Sequence, residues 1–202
     1  MMLLWMGLAC GPAPVVPMLE GTLTPEGHDI SGDFFGYQAF GFDNEGTLLI
    51  YIASHKEASC ETVAPFLRTT ADPIDPSILF EPGSCNLMLK TANYAGSWEA
   101  ENDRMESASS AISCNMGEGE WLYETGANSG YYWSGKWWVG FPTEYTWSVT
   151  GDRDSEYTVD IEMTGYEGSF AREEFSRYPA TGTVKGTVTA QPCMEIGQSG
   201  HF

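Results

Sequence analysis

Positive charge is scarce in this chain: 9 lysines and arginines stand against 28 aspartates and glutamates, for a formal net charge of -19. A field of that sign repels phosphate backbones, which excludes nucleic acid as a partner. Long apolar runs are missing too, and the apolar opening is far shorter than the roughly 20 residues a membrane-spanning helix needs. No Asn-x-Ser/Thr acceptor occurs, so nothing points to a glycosylated eukaryotic secretory protein. The three histidines, His28, His55 and His201, are too scattered for a metal set or an obvious base. A nucleophile elbow, a His-Glu-x-x-His pair, a glycine-rich phosphate loop and a Cys-x-x-Cys pair are all lacking, and no catalytic residue is assigned.

What is present describes a folded, sheet-rich chain. Hydrophobic residues make up 42% and aromatics 13%, with only 18% charged, over a length of 202 residues that suits one domain. The opening Met1, Met2, Leu3, Leu4, Trp5, Met6, Gly7, Leu8 and Ala9 runs directly into Cys10. Behind it stand Pro12, Pro14, Pro17 and Pro25, and prolines this dense favour extended, semi-rigid chain. The expected division is a truncated signal-like segment at 1–9, a proline-rich tether at 10–32 and a β-rich globular domain at 33–202.

Five cysteines are present. Setting Cys10 aside leaves Cys60, Cys85, Cys114 and Cys193, an even set that suits two disulfides in an oxidising compartment. Three pairings are open, and closure of the shorter loop favours Cys60 with Cys85 and Cys114 with Cys193.

Ala9 directly before Cys10 resembles the lipobox of bacterial lipoproteins, although Gly7 and Leu8 depart from its usual residues. The resemblance implies a lipid on Cys10, attachment to a membrane through that lipid, and a place in the bacterial cell envelope, outer-membrane or periplasm-facing. The stretch 53–60 ending in Cys60, and the closing Gly182, Thr183, Val184, Lys185, Gly186, Thr187, Val188 up to Cys193, are loosely similar to predicted β-rich lipoproteins of myxobacterial type. That likeness implies location and architecture and carries no chemistry.

Strand signals run from about residue 34. The aromatic segment 34–42, the turn residues Asp43, Asn44, Glu45 and Gly46, and the apolar run 47–53 read as a hairpin. Across 156–164, Tyr157, Val159, Ile161 and Met163 alternate with Thr158, Asp160 and Glu162 at the period of a half-buried strand. Residues 144–149 precede it as the other arm of a second hairpin. Stretch 181–190 is rich in threonine and valine, with glycines that permit a bulge. Only 57–67, interrupted by Pro65, and 98–112 could hold helical turns. The fold expected is all-β, an antiparallel β-sandwich or jelly-roll-like single domain stapled by disulfides.

Aromatics crowd between 131 and 147. Tyr131, Trp133, Trp137, Trp138 and Trp147 are the candidate ligand-binding residues, because exposed rings suit stacking on sugars or contact with a protein. Strand neighbours face opposite sides, so Trp137 and Trp138 cannot share one core unless both faces are covered. Lys136 and Glu144 could supply polar anchoring. Asp152, Asp154 and Glu156 offer hard oxygens at alternating spacing, a weak calcium candidate and the only cofactor suggested. Glu118 and Glu120 beside Trp121 are the first suspects for hydrolytic carboxylates. The leading functional expectation is a lipid-anchored envelope domain, non-catalytic, binding glycan or protein through its aromatic strands. A structural surface lipoprotein without ligand and a glycoside-type hydrolase with an acidic cleft are the alternatives.

Overall fold

The computed structural model describes residues 16–44, 47–67, 75–91, 96–99, 108–125, 130–151, 155–171 and 177–193. Among them the strands are β1 (Leu19–Pro25), β2 (Gly32–Gly36), β3 (Gln38–Asn44), β4 (Thr47–Ala53), β5 (Ser84–Thr91), β6 (Gly96–Glu99), β7 (Ala108–Met116), β8 (Trp121–Glu124), β9 (Gly130–Trp133), β10 (Lys136–Thr150), β11 (Tyr157–Phe170) and β12 (Tyr178–Cys193). One short helix, α1 (Cys60–Leu67), follows β4, and a 3-10 turn at Pro76–Ile78 precedes β5. Pro65 is accommodated inside α1. The second helix candidate, 98–112, instead contributes to β6 and β7, with 100–107 outside the described residues.

The main sheet closes on itself. β1, β2, β5, β7, β10, β11 and β12 form a ring of seven, sealed where β1 pairs with β12 and β2 pairs with β5. This corrects the sandwich or jelly-roll expectation: the chain is a closed β-barrel. The reason lies in strand length. β10 and β12 run 15 and 16 residues, long enough for one edge to take two partners in succession, β7 and then β6 in the case of β10. β12 pairs with β1 along 180–186 and with β3 along 191–193. The opposite strand β5 does the same, meeting β2 at Ser84 and Cys85 and β4 from Leu87 to Thr91. Two hairpin-like pairs therefore share one stretch of wall, one above the other. Register shifts between Pro142 and Tyr145 and between Met163 and Gly165 let the long strands coil around the barrel.

The expected tether also needs correction. Leu19–Pro25, placed in the 10–32 segment from its prolines, is β1, with Leu19 and Leu23 buried in the core. Both expected hairpins are present with different extents: residues 34–36 belong to β2, leaving β3 paired with β4, and β10 and β11 run beyond 144–164, while Tyr157, Val159, Ile161 and Met163 point inward and Thr158, Asp160 and Glu162 face out.

Two cores result. The barrel interior holds Leu19, Leu23, Phe34, Ile50, Leu87, Ile112, Trp138, Trp147, Val159, Val184 and Val188, packed side chains rather than a channel. The alternate residues of β3 and β4, Phe40, Phe42, Leu49 and Tyr51, lie outside the barrel under α1 and the 3-10 turn, with Val63, Leu67, Leu79 and Phe80. Cys60 at the start of α1 bonds Cys193 at the end of β12, and Cys85 bonds its cross-strand partner Cys114. The pairing favoured by loop length is thus overturned, because register brings β5 and β7 side by side. Two disulfides point to an oxidising compartment, as for an exported protein. Among the described residues no helix is long and apolar enough to cross a membrane.

Candidate functional site

The aromatic segment divides between the two faces of the wall. Trp138 is fully enclosed in the barrel, and Trp147 joins it there. Its chain neighbour Trp137 lies on the outer face, half-buried, with its ring 5.0 Å from Phe80 and 5.0 Å from Trp121. The period of two sends the pair to opposite sides, and both sides are covered. Trp138 and Trp147 are therefore core side chains and not ligand contacts. Lys136 lies over the Phe170 ring, and Glu144 accepts a hydrogen bond from Thr164, so neither anchors the Trp137 face.

The site is built instead around β8 and β9, which pair only with each other among the described residues. Trp121 faces Trp133, and Tyr123 faces Tyr131. Directly opposed residues of an antiparallel pair share a face, so this two-stranded ribbon carries four aromatics on one side. At its base, the Trp121 and Trp133 rings meet at 5.5 Å and Trp121 packs on Phe80 and Trp137 of the barrel. Trp133 is buried there, against Gly119 and Gly135. Farther out, the Tyr123 and Tyr131 rings meet at 4.9 Å, with Tyr123 47% exposed and Tyr131 partly so. Backbone bonds tie the base: Ser134 N–H donates to the Glu120 carbonyl, and Glu120 N–H donates to the Ser134 hydroxyl. Phe66 of α1, 40% exposed, extends the apolar surface through Phe80.

Below this surface lies a polar network between β4, β5 and β7. Asn86 accepts from the Ser54 N–H at 2.6 Å and donates to the Tyr51 hydroxyl at 2.9 Å. Ser84 Oγ donates to Ser54 Oγ, while Ser84 N–H donates to Asn115 Oδ1 at 3.1 Å. Burial pushes the Tyr51 phenol far above the ordinary tyrosine range, against the smaller opposing effect of the Asn86 bond. Burial does the same to Tyr166 inside the barrel. Both are neutral hydroxyls and serve as structure.

The remaining sequence candidates are dispersed. Cys10, Asp152 and Asp154 lie outside the described residues, and Glu156 is exposed at the start of β11. Among the described residues no group of three His, Cys, Asp or Glu side chains gathers as metal ligands do. Glu118 and Glu120 are exposed at the ribbon base. His28, expected in the tether, packs against Phe170 and Tyr178 with ring centroids at 4.7 and 4.9 Å.

Tyr123 and Phe80 escaped the sequence reading as binding residues. A signal for the ribbon was there: Trp121 and Tyr123 mirror Tyr131 and Trp133 at the period of two about a stretch rich in turn formers, Gly126, Asn128, Ser129 and Gly130. Comparison with protein-family models, with curated proteins and with solved structures finds no match.

Proposed function

We propose that this chain is an exported, non-catalytic glycan-binding domain, held at the bacterial envelope by a lipid on Cys10, with the β8–β9 ribbon as its binding face. The observation that carries the reading is the side-by-side pair Tyr123 and Tyr131, set out from the barrel on a ribbon whose base packs through Trp121 and the buried Trp133. Sugar rings present apolar C–H faces, and tyrosine offers a flat apolar ring with a hydroxyl at its tip, at little cost in side-chain entropy. At the base Trp121 packs on Trp137, and Trp137 on Phe80, which sets Tyr123 and Tyr131 side by side at the outer end of the ribbon. The acidic surface supports neutral polysaccharide over anionic polymers.

A glycan array probed with the full chain is the direct test. Wild type is expected to retain a defined set of glycans, and Tyr123→Ala combined with Tyr131→Ala to lose about tenfold or more in affinity, the scale of a lost stacking contact. Binding untouched by the double substitution would remove the ribbon as the site. Retention of a protein and no glycan through the same tyrosines would keep the face but change the ligand class.

A further inference from the structure

Three N–H donors around the ribbon base have no acceptor among the described residues. Asn115 is fully buried, and its Oδ1 takes the Ser84 N–H while its Nδ2 donates to nothing among the described residues. Nε1 of Trp121 and Nε1 of Trp133 are buried and unmatched as well. The three belong to one aromatic nest. Asn115 is the cross-strand partner of Trp137 and shares its outer face, Trp137 meets Trp121, and Trp121 meets Trp133. Buried donors are normally paired, and a cluster left open is a reason to look for what completes it.

What is missing is therefore acceptors alone. A cation has no use for N–H donors. An anion would be repelled by Glu118 and Glu120 at the ribbon base and by the net charge of -19. A neutral acceptor between aromatic walls remains, and an amide carbonyl with an attached methyl group satisfies both requirements. Access is through the ribbon. β8 and β9 share no ladder with the barrel sheet, and a two-stranded ribbon is marginal on its own. Gly117, Gly119 and Gly135 flank it on both arms.

Building on the glycan reading, we infer that the ribbon folds over an N-acetylated hexosamine, whose acetamido carbonyl accepts from one or two of these donors while its ring lies against Trp121 and Trp137. The ribbon is thus a flap as well as a platform, and the acetamido group is what the site selects.

Tryptophan fluorescence titration of the full chain with chitotetraose and with cellotetraose tests this, since the two differ at the acetamido position. Chitotetraose is expected to bind about tenfold tighter, the effect of one or two added hydrogen bonds. Trp121→Phe keeps a ring and deletes one donor. It is expected to abolish that preference, while any drop in Tm reports only the packing lost with the smaller ring. Equal affinity for the two sugars, or a preference intact in both Trp121→Phe and Trp133→Phe, overturns the inference and leaves glycan binding standing. A lowered Tm with unchanged preference reports a packing role alone for Trp121 and overturns it too. Failure of the wild type to bind any arrayed glycan removes both.

Discussion

Trp138 occupies the barrel interior because two glycines let its ring approach the wall. A methyl group on Gly140 or on Gly168 would overlap that ring, and in each case would also strike the backbone of the neighbouring strand. Gly140 and Gly168 are cross-strand partners on β10 and β11, so the two gaps in side-chain cover adjoin. The ring fills the space they leave. Gly168→Ala must displace either a fully buried indole or a backbone ladder, and overpacking of this kind costs about 1–3 kcal/mol. The expected outcome in urea denaturation is a lower midpoint with an unchanged slope. An alanine tolerated without loss of stability would mean that Trp138 is not held as described. Sequence showed that Trp137 and Trp138 diverge, since alternation is local. It did not show which one the core takes, because that depends on glycines 2 and 30 positions away meeting the same ring.

At the level of elements, the two disulfides hold different things. Cys85–Cys114 joins directly opposed residues of β5 and β7, both side chains nearly inaccessible, across a separation of 29 residues. Cys60–Cys193 joins α1 to the end of β12, both side chains half-buried, across 133 residues. In the chain-entropy picture the longer loop contributes about 5 kcal/mol and the shorter about 4. Exposure orders their chemistry the other way, since exchange needs access to sulfur. Mild reductant followed by alkylation and mass mapping is expected to label Cys60 and Cys193 first, with Cys85 and Cys114 protected until the barrel opens. Simultaneous labelling of all four would contradict the burial difference. The α1 layer over Phe40, Phe42, Leu49 and Tyr51 is the part that loosens in the first step. Cysteine count allowed two bridges in three arrangements. Loop length favoured the wrong one, because strand register outweighs separation along the chain once β5 and β7 are neighbours.

For the whole molecule, an apolar interior, a second apolar layer under α1 and a charged exterior describe a barrel packed as a globular core. β11 shows the division within one strand: Val159, Ile161 and Met163 are buried, while Thr158, Asp160, Glu162 and Thr164 are exposed. That is the reverse of a lipid-facing barrel, whose apolar band faces outward. Membrane attachment would then rest on Cys10. Buried acyl chains contribute about 0.8 kcal/mol per methylene, and two or more hold firmly. Metabolic labelling with a palmitate analogue, in bacteria expressing the chain behind a full-length lipoprotein signal, is expected to mark wild type and not Cys10→Ser. Equal labelling of both, or of neither, would remove the anchor.

By itself the sequence determined the β class, the inward and outward faces of β11, a hairpin centred near 45 and another near 153 without their full extents, and the presence of two disulfides. Each of these follows from interactions over a few residues, or from counting. Only the tertiary structure decided that the sheet closes, that residues 19–25 are a barrel strand rather than tether, and which cysteines meet. These depend on strands taking two partners along one edge, a matter of register between segments well apart in the chain, from the 29 residues between Cys85 and Cys114 to the 133 between Cys60 and Cys193. The aromatic site divides the same way. Its residue types were evident between 131 and 147, but its exposed part was fixed by the pairing of β8 with β9, which set Tyr123 beside Tyr131 at the outer end and packed Trp133 at the base, while the barrel interior took Trp138 and Trp147.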